Sequence, residues 1–304
     1  MYKRRAIALL ITIFFIMAIS VILGLSLKQI KDAKEEVAQE KFTLQTSVLL
    51  DDILNILKKS ADLDSIVKDN SKDSLFIFLS EASFIPFESS GVSIIIELSS
   101  ARAAFNVNSL VDVQGKLDRG KIDSLLNYMS VYYINSSYVD MLIDSISKTE
   151  EDIYYNTDIF NENPTLFRNY ITSKSHLDTI NNFYMKSYND NALDQINFEE
   201  LFYFTIDKNV KIDLNYATIE TWRLLIGCDE IRAEQLNAAG GSYSKVEDLL
   251  LSEDEKLTLS NFNVSYYEPY LDVKVEINEG SSSSKVRFEY DMKNKKGSNF
   301  VYEI

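Results

Sequence analysis

The most informative pattern along the chain is at its start. From Ile7 to Leu27 the sequence reads IALLITIFFIMAISVILGLSL, twenty-one residues without a charge. At about 1.5 Å per residue such a run crosses the ~30 Å hydrocarbon core of a bilayer as a helix, and its fourteen Leu, Ile, Phe or Val side chains favour insertion. A cleaved secretory signal would carry a shorter apolar stretch, about 7–15 residues, ending in a small-x-small site. Here the run passes directly into charged sequence. Lys3, Arg4 and Arg5 precede it, which places residues 1–6 in the cytoplasm and everything after Lys28 outside. Over residues 28–60 there is no Gly or Pro, and Ile30, Ala33, Val37, Leu44, Val48, Ile53 and Leu57 fall near helical spacing. The pattern predicts one helix from about Ile7 to Lys59, roughly 80 Å long, half in lipid and half amphipathic against a globular head.

Beyond the helix the period changes to that of strands. Ser74 to Ser80 (SLFIFLS) and Gly91 to Ser100 (GVSIIIELSS) are β-branched and aromatic runs separated by Pro86 and Gly91, which predicts a pair of strands. Gln114-Gly115-Lys116 and Arg119-Gly120 then punctuate the chain before a Gly-free tract, Lys121 to Leu201. There Ile122, Leu125, Leu126 and Met129, then Val139, Leu142, Ile143 and Ile146, recur at helical spacing. Pro164, after Asn163, is expected to open a further helix. Asp213 to Leu251 reads as three short helices: Thr218 caps the first, Gly240-Gly241 ends another, and Ser244 lies three residues before Glu247 at capping-box spacing. From Thr258 onward TLSNFNVSY, YLDVKVEINEG, SKVRFEY and NFVYEI predict strands. Hairpin loops are expected at Asn278 to Ser284 and at Asn294 to Ser298.

Composition narrows the chemistry. The chain has 304 residues, 46% hydrophobic and 25% charged, with a formal net charge of −15. That is globular material with a surface that repels phosphate backbones. One cysteine, Cys228, leaves no intrachain disulfide, and one histidine, His176, leaves no Cys/His zinc site. Nothing in the sequence pairs Cys228 with His176 as nucleophile and base, and no Gly-x-Ser-x-Gly occurs, so no enzyme is expected. A buried apolar cysteine and a surface histidine are the expectation. Asp112, Asp118, Asp123 and the acidic run Thr149-Glu150-Glu151-Asp152 are candidate calcium ligands without an EF-hand pattern, and solvated acidic loops compete with that reading. Ile226-Gly227-Cys228-Asp229-Glu230-Ile231 has the form of a helix-hairpin-helix turn with one of its two glycines. Asp213 to Leu250 carries seven acidic and three basic residues, a net of −4, so counterion release cannot drive DNA binding. The element is expected to be a packing scaffold with Leu224, Leu225, Ile231, Leu236 and Leu249 as its core and Trp222 buried beside them.

Three stretches together resemble one protein family. A short basic leader running into an apolar helix resembles the class III signal of type IV pilins and type II secretion pseudopilins. Phe105 to Leu117 (FNVNSLVDVQGKL) and Lys211 to Leu250 resemble segments of the K component, a minor pseudopilin of the general secretion pathway, in that order along the chain. The resemblance implies a prepilin leader at residues 1–6, with cleavage by prepilin peptidase between Ala6 and Ile7 and methylation of the new amine. Ala6 departs from the family's usual Gly. It implies that Ile11 occupies the fifth mature position, where most members carry a Glu; the K component characteristically lacks it, as suits a subunit with no neighbour above.

The implied fold is α+β. A transmembrane helix, residues 7–27, continues as a long pilin-type stalk helix, 28–60, packed on an antiparallel sheet made from 61–111 and 257–304. An all-α domain with a degenerate helix-hairpin-helix or SAM-like element is inserted at 112–256. The implied setting is a single-pass protein of the bacterial inner membrane with its bulk in the periplasm. The implied partners are the I- and J-type minor pseudopilins and the prepilin peptidase, with secreted substrates and the outer-membrane secretin as further contacts. No cofactor is implied beyond the open question of calcium, and nucleic acid is not expected. The alternatives are a minor type IV pilin that primes pilus assembly and, from another class, a membrane-tethered helix-hairpin-helix DNA-binding protein.

Overall fold

The computed structural model of the protein describes residues 40, 42–89, 92–147, 156–280 and 282–303. Ala6, Ile7, Ile11, the apolar run 7–27, most of the stalk before residue 42 and the acidic run 149–152 lie outside the described residues. Among the described residues no helix is long and apolar enough to cross a membrane.

Residues 42–59 form helix α1, and the chain continues through α2 (Ala61–Asp69) and α3 (Lys72–Glu81). Phe42, Thr46, Leu50, Ile53 and Leu57 are its buried positions, at steps of three and four that put them on one face. That face rests on a five-stranded antiparallel sheet of order β1 (Phe84–Ser89), β2 (Val92–Ser100), β7 (Tyr270–Glu279), β8 (Ser282–Asp291) and β9 (Lys296–Glu303). Alternate residues of the inner strands close the core: Ile94 and Leu98, Leu271, Val273, Val275 and Ile277, then Val286, Phe288 and Tyr290. Leu44 and Val48, expected on the packing face of the stalk, are exposed.

Between β2 and β7 the chain leaves the sheet and builds a second core. Its elements are β3 (Phe105–Asn106), α4 (Arg119–Val131), α5 (Ser137–Ile146), α6 (Ile159–Glu162), α7 (Lys174–Tyr188), α8 (Phe198–Leu201), β4 (Phe202–Tyr203), β5 (Ile212–Asp213), α9 (Ile219–Ile226), α10 (Glu230–Ala238), α11 (Glu253–Leu259) and β6 (Val264–Ser265). Two short parallel pairs, β3 with β4 and β5 with β6, tie distant parts of it together. This core runs from Phe105 to Phe262, so the boundaries expected at 112 and 256 fall inside it. The excursion begins and ends on neighbouring strands, where Ala101 N–H donates to Tyr270 O at 2.9 Å.

Several local expectations are corrected. Ser74 to Ser80 is not a strand but the body of α3: Ser71 caps it by accepting from Ser74 N–H, and Leu75 and Leu79, four apart, are the buried pair. Pro86, expected between strands, sits within β1, which is an edge strand where a missing N–H is tolerated. Pro164 follows α6 instead of opening a helix. Thr258 and Leu259 end α11, which starts at a capping box between Ser252 and Glu255, so only Val264–Ser265 of the stretch TLSNFNVSY is extended. Glu247 is not the capping acid after Ser244. Asp248 accepts from Ser244 N–H and Lys245 N–H, and the segment Val246–Leu249 is a single 3-10 turn. Ser282 to Ser284 belong to β8 and not to the preceding loop, and Ser298 lies in β9.

Candidate assembly surface and the seam between the halves

The motifs that carry the resemblance are structural staples. Asn108 is fully buried; its amide donates to Ile171 O at 2.9 Å and Thr205 O at 3.2 Å, and its carbonyl accepts from Ile171 N–H at 2.7 Å. Asn106 accepts from Asn108 N–H and Thr205 N–H and donates to Asp207 O. In the second motif Asn215 donates to Tyr243 O at 3.0 Å and Tyr266 O at 2.8 Å and accepts from Tyr243 N–H. A side-chain amide is the one neutral group that both donates and accepts as a peptide does, so these asparagines stand in for a ladder where loops pass one another.

The two halves meet along a buried polar seam. Arg102, on the exit from β2, makes a bidentate pair with Glu289 of β8, both contacts at 2.8 Å. Tyr203 of β4 donates to the same carboxylate at 2.7 Å, and the Arg102 guanidinium lies 4.0 Å from the Tyr270 ring centre. Burial alone would lower the pKa of Arg102, but its hydrogen bond and attraction to Glu289 more than reverse this, so the net shift is upward. Burial, then the carboxylates of Glu289 and Asp272, push the Tyr203 hydroxyl far above its ordinary value, which keeps it a donor. Beside it Arg287 binds Asp272 at 2.7 Å and lies 5.3 Å from the Tyr203 ring. A second tie joins α3 to the loop after α10: Lys72 donates to Ser242 O at 2.9 Å and Tyr243 O at 2.8 Å. Gly241 is required there, because its φ of +84° is left-handed and a Cβ would meet the Phe76 ring at 2.9 Å. Tyr267 adds a hydrogen bond to Ile66 O.

Of these seam residues only Gly241 stood out in the sequence, and there as a helix end. Glu289 sits in an alternating strand where it reads as a solvent position, and Arg102 follows a serine pair with no periodic context. The signal that could have located them is weak: a lone Arg between a strand and the FNVN motif.

The candidates for chemistry are dispersed. His176 is not a surface residue: it is buried in the first turn of α7, accepts from Thr172 N–H at Nδ1, and has its pKa lowered by burial. Cys228 is half-buried in the turn between α9 and α10, contacts Trp222 O, and burial pushes its thiol up to about 11, the reverse of an activated nucleophile. Asp112 is engaged by Gln114 N–H and Lys116 N–H, Asp118 caps α4 and pairs with Lys121, and Asp123 is an exposed position of α4. No group of three or more His, Cys, Asp or Glu that could hold a metal occurs among the described residues. Asp144, a carboxylate that sequence reading passed over, accepts four hydrogen bonds from Asn156 and Thr157.

At the hairpin, α9 ends in Gly227 at φ +64°, and Asp229 caps α10 by accepting from Arg232 N–H at 2.8 Å. A carboxylate therefore occupies the helix N-terminus where a phosphate would be received. Trp222, Leu224, Leu225, Leu236 and Leu249 are buried as expected, but Ile231 is 67% exposed because it lies on the outer side of α10 from Ala233 and Leu236.

Neither a protein-family model nor a curated protein matches the chain. It is similar to a chain in the crystal structure of the GspK-GspI-GspJ complex from the type 2 secretion system of enterotoxigenic Escherichia coli, with a TM-score of 0.48 and 12% identity over 88% of this chain and 97% of that one.

Proposed function

We propose that this chain is a minor pseudopilin resembling the K component, acting at the tip of a type II secretion pseudopilus. The observation that carries this reading is the packing of α1 along an antiparallel sheet in a chain whose uncharged run Ile7–Leu27 follows Lys3-Arg4-Arg5. A head built on such a helix is tethered to whatever the apolar run enters, first a bilayer and then a filament core. The protein is held in the inner membrane with residues 1–6 cytoplasmic and the bulk periplasmic, is cut by prepilin peptidase between Ala6 and Ile7, and assembles above the I- and J-type minor pseudopilins. The helical half broadens the tip, where secreted substrates and the secretin are met. The role works by shape and contact and needs no catalysis and no cofactor.

The test is the intact mass of the protein from hosts with and without the prepilin peptidase. Loss of residues 1–6, with a methyl on the new amine, in the first host alone is the expected result; an unprocessed chain in both removes the filament reading. Ile11→Glu then tests the tip position: it is expected to misplace the subunit and impair secretion, and unchanged secretion would count against the tip.

A further inference from the structure

Strand β1 is an edge of the sheet with apolar side chains open on both faces. Phe84 is 55% exposed, Ile85 41% and Phe87 57%, with Pro86 exposed among them. Its register says which way the backbone points. Leu98 N–H donates to Ser83 O at 3.0 Å, so Ser83–Leu98 is a hydrogen-bonded pair, and by alternation so are Ile85–Ile96 and Phe87–Ile94. Phe84, Pro86 and Glu88 therefore turn their backbone groups toward the open edge. Pro86 is the middle of the three and has no N–H, so a strand added here would lose its central hydrogen bond against a pyrrolidine ring.

The edge is thus closed to strand pairing while its side chains remain available: Ile85 and Phe87 on one face and Phe84 on the other set large apolar groups astride the edge, and such groups exposed together are the mark of a contact surface. Its rim is acidic. Glu81 ends α3 three residues before Phe84 and Glu88 follows Phe87, and neither carboxylate is in an ion pair within the described residues, whereas Glu97, opposite Phe84, has Lys274 across from it on β7. We propose that β1 is the docking surface for a pilin-like partner that presents apolar side chains flanked by Lys or Arg and packs against Phe84, Ile85 and Phe87 without adding a strand. The class of partner rests on the filament reading; the surface and its charge do not.

The test places benzoylphenylalanine at Phe84 or Phe87 of the full chain in its host, with the same probe at Leu250, 83% exposed on the helical half, as control. Illumination should give an adduct to a second protein from positions 84 and 87 but not 250. Its cross-linked peptide should carry apolar residues beside Lys or Arg. Phe87→Ser, a substitution at an exposed position, and separately Glu81→Lys with Glu88→Lys, should each cut the adduct from position 84 by about tenfold. No adduct, an adduct to a second copy of this chain or to lipid, or one indifferent to charge reversal would overturn the proposal. Intact mass of the same samples separates the two readings: a processed chain without an adduct removes the docking surface and leaves the filament, and an adduct on an unprocessed chain does the reverse.

Discussion

The sheet half and the helical half solve the same problem with different groups. In the sheet half the inner strands β2, β7 and β8 have ladder partners on both sides, so their side chains are free to be a plain apolar core, Leu271 through Tyr290 on one face. In the helical half the helices are short and the loops long, and the backbone is satisfied by buried side chains: Asn106, Asn108, Asn215 and Asp144. The consequence is a difference in fragility. The sheet half should be most sensitive to lost volume and the helical half to lost polarity. At the seam between them the most buried contact is ionic, Arg102 with Glu289.

The largest effect is expected at that seam. Arg102→Met leaves the Glu289 carboxylate buried and unpaired beside Tyr203 and should cost about 3–5 kcal/mol in urea unfolding, with most of it restored by adding Glu289→Leu. If the halves depend on the seam for cooperativity, the single variant will also split one transition into two. Next come the paired substitutions that set volume against polarity. Phe288→Ala should cost about 3–5 kcal/mol in the sheet half, and Asn108→Leu about 3 kcal/mol through three orphaned backbone groups in the helical half. Hydrogen exchange will locate each loss; a Phe288→Ala effect confined to the helical half would break the comparison.

A pH effect of roughly 3 kcal/mol is expected from Asp213, fully buried where β5 meets the chain entering β7. Burial raises its carboxyl from 3.8 to about 6, against the opposing pull of hydrogen bonds from Glu268 N–H and Asn215 N–H. The native state therefore holds this proton more tightly than the unfolded chain. Its contribution is present in full below 3.8 and is lost as pH rises through about 6. Unfolding free energies across that window should show this decline in the wild type and a flatter profile in Asp213→Asn; identical profiles would show that Asp213 does not titrate there. The smallest effect is Ser252→Ala, which removes one arm of the α11 capping box and should cost about 1 kcal/mol by thermal unfolding.

How much was legible follows the same division. The strands β7 to β9 were readable because alternation of Val, Ile and Phe with Lys and Glu is a local signal, and α4 and α5 because their apolar period is helical. Ser74 to Ser80 misled because its composition favours strands while Ser71 supplies a cap and Leu75 and Leu79 find the sheet as a partner. Composition describes a preference of about 1 kcal/mol at most, and packing of one face exceeds it. Ile231 and His176 reversed their expected exposure for a related reason: which side of a helix faces inward depends on what it packs against.

The sequence by itself determined the uncharged run Ile7–Leu27, the order of sheet, helices and sheet, and the apolar faces within the longer elements, since each is written in the spacing of neighbouring residues. Tertiary structure alone decided that Arg102 meets Glu289 across 187 positions, that Lys72 reaches the loop at 241–243, and that Pro86 lies at an open edge instead of between strands. Contacts between distant positions carry no periodicity. They arise only when two finished surfaces come together and bury charges that must then find one another.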